Sequence, residues 1–220
     1  LAREHACDVA IAFDGDGDRL IAATNTGDVV DGDHLIALAA LDMKSRGLLA
    51  NDAVVVTVMS NIGFHHAMSA AGITVHTTTV GDRSVLVELE RSGAVLGGEQ
   101  SGHIIVRSRA TTGDGLLAAV ELIDMLGRRS ESFEQLASSV MTSYPQVLVN
   151  VKVTGDAKVA AAACSDVVRA AEAELGDSGR VLVRPSGTEP LVRVMVEARD
   201  DETARRVAER IADAVRVAQG

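Results

Sequence analysis

From residue 33 onward the chain repeats one step, a stretch of helical period that stops at glycine and is followed by a short β-branched run. Asp33 stands where a helix cap is wanted, the helix reaches about residue 46 with Gly47 as its stop, and residues 53–58 form a run of buried-strand length. A second helix over about 62–71 ends at Gly72 and leads into a strand at 73–79; Asp82 then begins a helix with Val85, Leu86 and Leu89 on one side. Strands at 94–96 and 104–107 and a helix over about 114–126 complete the pattern, and this domain is expected to close near Met141. Alternation of this kind implies an α/β fold, a mixed, mostly parallel sheet with helices on both faces.

The only prolines are Pro145, Pro185 and Pro190, so residues 142–145 are the expected domain boundary. Beyond it the order becomes strand 146–153, an alanine-rich helix 156–175, strands 180–184 and 191–198, and helix 202–217. That βαββα order describes a small α+β domain with one sheet covered by helices. Before residue 33, two strands at 8–13 and 19–24 are joined by an acidic loop. The expected segments are therefore 1–32, 33–141 and 142–220.

Composition excludes several classes. A formal net charge of -10 and 2% aromatic residues disfavour nucleic acid, which is held by clustered Lys and Arg and by stacking rings. No run approaches the roughly 20 apolar residues that span a bilayer, so no membrane partner is expected. Cys7 and Cys164 form no C-x-x-C pair, and reduced thiols in a cytoplasmic protein are the plain expectation. The chain opens at Leu1 and reads as a piece of a longer protein.

Three loops carry chemistry. In Asp14-Gly15-Asp16-Gly17-Asp18-Arg19, carboxylates separated by glycines can converge on one hard cation, since Mg²⁺ and Ca²⁺ prefer oxygen. A solvated acidic turn is the bland alternative, but two strands pin this loop. An EF-hand is ruled out, because Arg19 and Asn25 stand where that loop needs Gly and Glu. Arg19 beside the metal suits arriving phosphate oxygens, or simply pairs with an aspartate. In Gly98-Glu99-Gln100-Ser101-Gly102-His103, the glycines let backbone approach a ligand while a carboxylate, a hydroxyl and an imidazole project together, which suits neighbouring sugar hydroxyls as well as a polar β-turn. In Arg184-Pro185-Ser186-Gly187-Thr188-Glu189-Pro190, backbone N–H groups, two hydroxyls and an arginine can face one phosphate, the alternative being a solvent-facing hairpin. Val192, Val194 and Val196 share one face of the next strand, so Arg193 lies on the other.

Metal, hydroxyl and phosphate loops in one chain suggest metal-assisted phosphoryl transfer on a sugar phosphate. In this order the three strings resemble the metal, sugar and phosphate loops of the α-D-phosphohexomutase family. Gln100, with Thr57-Val58-Met59-Ser60-Asn61 and Val80-Gly81-Asp82-Arg83, is similar to its phosphoglucosamine branch more than to the phosphomannomutase/phosphoglucomutase branch. The resemblance implies that residues 1–32 end the second of four domains and that the rest is the third and fourth. It implies Mg²⁺ on Asp14, Asp16 and Asp18, a hexosamine phosphate held by Glu99, Ser101, His103, Arg83, Arg184, Ser186, Gly187, Thr188 and Arg193, and catalytic parts for Arg19 and His103.

The same resemblance implies interconversion of glucosamine 6-phosphate and glucosamine 1-phosphate through a phosphoserine and a 1,6-bisphosphate. Nothing here matches the family's phosphoserine loop, so the chain alone is expected to be inactive without its N-terminal domains; a homodimer is left open. Ser101 belongs to the sugar loop and is not promoted to nucleophile, and a hydrogen-bonded structural histidine is an equal reading of His103. Two rival readings stay open, a non-catalytic sugar-phosphate binding module and a metal-dependent sugar phosphatase.

Overall fold

The computed structural model describes residues 2–187 and 189–218, and the chain divides into two compact units, Leu1–Thr142 and Ser143–Gly220. In the first, a short helix α1 (Ala2–His5) precedes strands β1 (Val9–Phe13), β2 (Leu20–Thr24) and β3 (Val29–Val30), which pair in that order in an antiparallel sheet. Phe13 pairs with Leu20, so the acidic loop at 14–19 hangs from two hydrogen-bonded strand ends.

Next come α2 (Gly32–Ser45), β4 (Ala53–Thr57), α3 (Ile62–Ala70), β5 (Thr74–Thr78), α4 (Asp82–Ser92), β6 (Leu96–Gly98), β7 (Ile104–Val106), α5 (Gly115–Leu126) and α6 (Phe133–Val140). The sheet order is β5-β4-β6-β7, with β4 parallel to β5 and β6 and only β7 antiparallel. Every residue of β4 is buried because the strand is covered on both sides. Ala53 and Val55 pack with Val85 and Leu89 of α4, while Val54 and Val56 join Ile36, Phe64 and Met68 on the opposite face. The expected mixed, mostly parallel sheet with helices on both faces is what forms.

Two local expectations change. The cap of α2 is Asp31, whose carboxylate accepts the His34 N–H at 3.2 Å, whereas Asp33 lies inside the first turn. Asp33 is fully buried and accepts the Asn61 N–H at 2.8 Å, tying α2 to the start of α3. Helix α6 is additional to the expected elements. A capping box opens it, Ser132 receiving the Gln135 N–H while the Gln135 side chain receives that of Ser132, and Phe133, Ala137 and Val140 are its buried stripe.

In the second unit, β8 (Gln146–Lys152), β9 (Arg180–Pro185) and β10 (Leu191–Glu197) form an antiparallel sheet in the order β8-β10-β9. The expected single helix over 156–175 is two, α7 (Ala157–Ala163) and α8 (Ser165–Leu175), because the backbone turns at Cys164, with φ -93° and ψ 6°. Together with α9 (Asp201–Val217) these helices bury one face of the sheet against Val192, Val194 and Val196. The outer stripe of α9 is charged and the inner one, Ala204, Val207, Ala208, Ile211 and Val215, is fully buried, as the 3.6-residue period requires. Among the described residues no helix is long and apolar enough to cross a membrane.

Candidate functional site

The β1–β2 turn brings one oxygen of each of Asp14, Asp16 and Asp18 within 4.8 Å of the others. Three carboxylates so close repel one another unless positive charge or donors intervene. Burial opposes the charge on Asp14, but the Arg19 N–H, which donates to its Oδ1 at 3.3 Å, the Arg19 guanidinium and the Gly17 backbone outweigh it and hold the carboxyl below its usual range. Arg19 Nε lies 3.7 Å from Asp14 and 3.8 Å from Asp18, too far for a direct hydrogen bond. Asp18 Oδ1 is buried with no hydrogen-bond partner. An orphaned carboxylate oxygen at the inner end of an all-oxygen donor set fits a hard divalent cation.

The acidic loop is fastened to the sugar loop by backbone. Leu20 donates to Gly102 O at 3.0 Å, Arg19 and His103 form an antiparallel bridge, and Gly115 at the start of α5 donates to Gly17 O at 2.9 Å. Gly102 has φ +94°, and a Cβ there would stand 2.1 Å from Leu20 O, so only glycine permits this approach.

His103 is the hinge of the assembly. It is 1% exposed, and its Nε2 accepts the Gly113 N–H at 3.1 Å, so the neutral ring carries its proton on Nδ1. From there it reaches Asp18 Oδ2 at 3.0 Å, with Asp82 Oδ1 3.6 Å away. One oxygen of Asp18 is thereby spoken for and the other left over.

Glu99, also buried, accepts the Gly81 N–H through Oε1 at 3.0 Å, which draws the 80–83 loop toward the sugar loop. Ser101 and Arg83 are exposed, Ser101 at the tip of the sugar loop and Arg83 in the first turn of α4. Gln100 turns away from them and donates to Asp31 Oδ2 at 3.3 Å. Burial opposes the charge on Asp31, but the His34 side chain and N–H and the Gln100 amide more than compensate and set its carboxyl below the ordinary value. Asp31, Asp82, Gly81 and Gly113 thus belong to the site's support. Sequence reading gives none of them a site role, although the Gly81-Asp82 helix start and the Asp31-x-x-His34 cap spacing were visible signals.

The second unit carries its own cluster. Arg184 on β9 and Arg193 on β10 are direct cross-strand partners, on the face opposite the helices. Burial and the neighbouring Arg193 charge both pull Arg184 below the ordinary arginine value. Arg193 lies 3.8 Å from Glu189, and its Nε is buried without a hydrogen-bond partner. Among the described residues Arg184 has no carboxylate partner. Two adjacent guanidiniums with a donor to spare suit a doubly charged anion. Ser186 and Gly187 follow in the turn, where the Ser186 N–H donates to Leu191 O at 2.8 Å; Thr188 lies outside the described residues.

Comparison with known proteins places both units in one family. Residues 31–144 match the family described as phosphoglucomutase/phosphomannomutase, alpha/beta/alpha domain III, and residues 148–214 match its C-terminal domain. The phosphoglucosamine mutase of Frankia alni is 55% identical over 216 residues, covering 98% of this chain and 47% of that protein. That of Saccharopolyspora erythraea is 54% identical, covering 97% and 48%. The chain spans about half the length of the curated relatives it matches. Among solved structures, Aspergillus fumigatus N-acetylphosphoglucosamine mutase, in complex with GlcNAc-6P and magnesium, superposes with a TM-score of 0.79 at 21% identity, covering 96% of this chain and 49% of that one. A Burkholderia thailandensis phosphoglucomutase/phosphomannomutase family protein gives 0.78 at 23%, covering 99% and 48%. At these identities the two structures speak for the fold.

Proposed function

We propose, for a chain that belongs to the phosphoglucomutase/phosphomannomutase family, that it is the C-terminal part of a phosphoglucosamine mutase. The intact enzyme would interconvert glucosamine 6-phosphate and glucosamine 1-phosphate through a phosphoserine and a 1,6-bisphosphate, with residues 1–32 the end of its second domain, 33–141 its sugar-binding domain and 142–220 its phosphate-binding domain. The observation that carries the reading is the fastening of an all-carboxylate loop to a Glu99/Ser101 loop through His103. Relatives with the mutase name, at 54–55% identity, support the amino-sugar branch.

Asp14, Asp16 and Asp18 would hold Mg²⁺, which supplies charge neutralisation for a transferring phosphoryl group. Arg19 adds a fixed positive charge beside it. His103 acts as a positioning residue, since both ring nitrogens serve protein partners; it orients Asp18 and leaves Oδ1 for the cation. Glu99, anchored on Gly81, accepts from sugar hydroxyls while Ser101 donates to them, and Arg83 is at hand from α4. Arg184, Arg193, Ser186, Gly187 and Thr188 grip the phosphate that does not react. Phosphate storage on serine needs a loop that the sequence does not match, so this chain alone binds without turning over. Its working place is a cytoplasm, its partner the remaining domains of the same enzyme, and a homodimer stays compatible.

A coupled assay on the chain and on the full-length protein, with glucosamine, glucose and mannose phosphates, tests the reading. Expected are no turnover by the chain and a full-length preference for the glucosamine phosphates. Turnover by the chain would overturn the storage argument, and a full-length preference for mannose or glucose phosphate would move the protein to the neighbouring branch.

A further inference from the structure

The sugar loop is the tip of the β6–β7 hairpin, and three of its residues are tied to three different neighbours. The Glu99 N–H donates to His103 O and the Gly102 N–H to Glu99 O, both at 3.0 Å, which closes the turn on itself. Outside the turn, Glu99 Oε1 accepts from Gly81, Gly102 O accepts from Leu20, and Gln100 is held by the start of α2. Ser101 stands exposed between Gln100 and Gly102, so its placement depends on the ties to either side of it.

The hold on Gln100 is double. The N–H of Gly32, the first residue of α2, donates to Gln100 O at 3.0 Å, and the two backbones approach so closely that a Cβ on Gly32 would stand 2.1 Å from Glu99 O. The Gln100 side chain then donates from Nε2 to Asp31 Oδ2 at 3.3 Å. The other oxygen of Asp31 is engaged with the helix, accepting the His34 N–H at 3.2 Å and facing His34 Nδ1 at 2.7 Å. Its carboxyl sits below the ordinary value and is ionised at neutral pH, so the bond it accepts from Gln100 is charge-assisted. One carboxylate divides its oxygens: Oδ1 caps the helix and Oδ2 anchors the loop.

We propose, on the reading of residues 98–103 as the sugar loop, that Asp31 is a positioning residue for sugar recognition, acting through Gln100 to hold the tip that carries Glu99 and Ser101 in its binding arrangement. A loop ordered before its ligand arrives spares the cost of ordering it on binding, so the anchor acts on affinity and not on the chemical step. Gln100 needs no contact with the sugar to matter for it.

A double-mutant cycle in the full-length protein tests this. Asp31→Ser keeps a side chain that caps helices well but is too short to reach Gln100, and Gln100→Met keeps the volume and loses the amide. Each is expected to raise KM for glucosamine 6-phosphate about tenfold with kcat within about twofold, and the double variant to be no worse than either alone, because both substitutions remove the same bond. In the chain itself, amide hydrogen exchange at residues 100–102 is expected to quicken in both variants while that of β4 stays as it was, which shows that the first unit is folded. A capping role alone would lower the unfolding midpoint of Asp31→Ser and leave Gln100→Met silent. KM effects that multiply in the double variant, or a Gln100→Met protein with unchanged KM, overturn the proposal. A full-length protein that turns over no glucosamine phosphate defeats the proposed function instead, and the exchange data then judge the anchor by themselves: exchange at residues 100–102 that is unchanged in both variants overturns it.

Discussion

Arg184 and Arg193 stand side by side across two strands, and Arg193 Nε is buried without a hydrogen-bond partner, a donor that an anion between the two charges can use. Arg184→Ala is expected to weaken a sugar phosphate by on the order of 1.5 to 3 kcal/mol while leaving the unphosphorylated sugar unchanged, since a charge-assisted bond to phosphate is what goes. Calorimetry with glucosamine 6-phosphate and glucosamine checks this, and equal losses for both ligands remove Arg184 from the phosphate role. At this scale the acidic loop could be read from sequence, because its carboxylates lie within a few residues of one another. The support could not. His103 meets Asp18 across 85 positions and Gln100 meets Asp31 across 69, and no local pattern encodes either contact. Gln100 is the clearest lesson: it marks the branch by resemblance, yet in the structure its amide serves Asp31.

The elements set the site by backbone contacts that admit no side chain. Gly102→Ala forces a Cβ to within 2.1 Å of Leu20 O at φ +94°, so the sugar loop must part from β2. We expect a loss of stability of about 1–3 kcal/mol by urea unfolding. Gly15→Ala is the control, since nothing lies within 4 Å of its added Cβ, and it is expected to be close to neutral. If both substitutions behave alike, the fastening of the two loops is not the constraint described. The alternation of helices and β-branched runs made most elements legible, and β4 shows why: buried on both faces, it must be apolar throughout. Helix α6 was equally marked, by Ser132 and Gln135 at capping-box spacing, but its eight residues follow a polar stretch and carry only a short periodic signal. The break at Cys164 had no such mark, because alanine-rich sequence continues on both sides of it.

At the scale of the whole molecule, the fold class and the proline-marked change of pattern near residue 142 follow from composition and period, and the two compact units divide at that place. Family membership rests on domain matches to both units, and the curated relatives are about twice this chain's length. What the proposed function asks of this chain by itself is a cation site within its first unit, where Asp14, Asp16 and Asp18 converge and His103 holds one oxygen of Asp18. Mn²⁺ replaces Mg²⁺ at all-oxygen sites and is visible by electron paramagnetic resonance. Titrating the chain with Mn²⁺, alongside Asp16→Asn, is therefore the most direct measurement. The expected result is one Mn²⁺ per chain, with affinity falling about tenfold or more in Asp16→Asn as one of three carboxylates is lost; Mn²⁺ affinity that is the same in both proteins contradicts the assignment of the site.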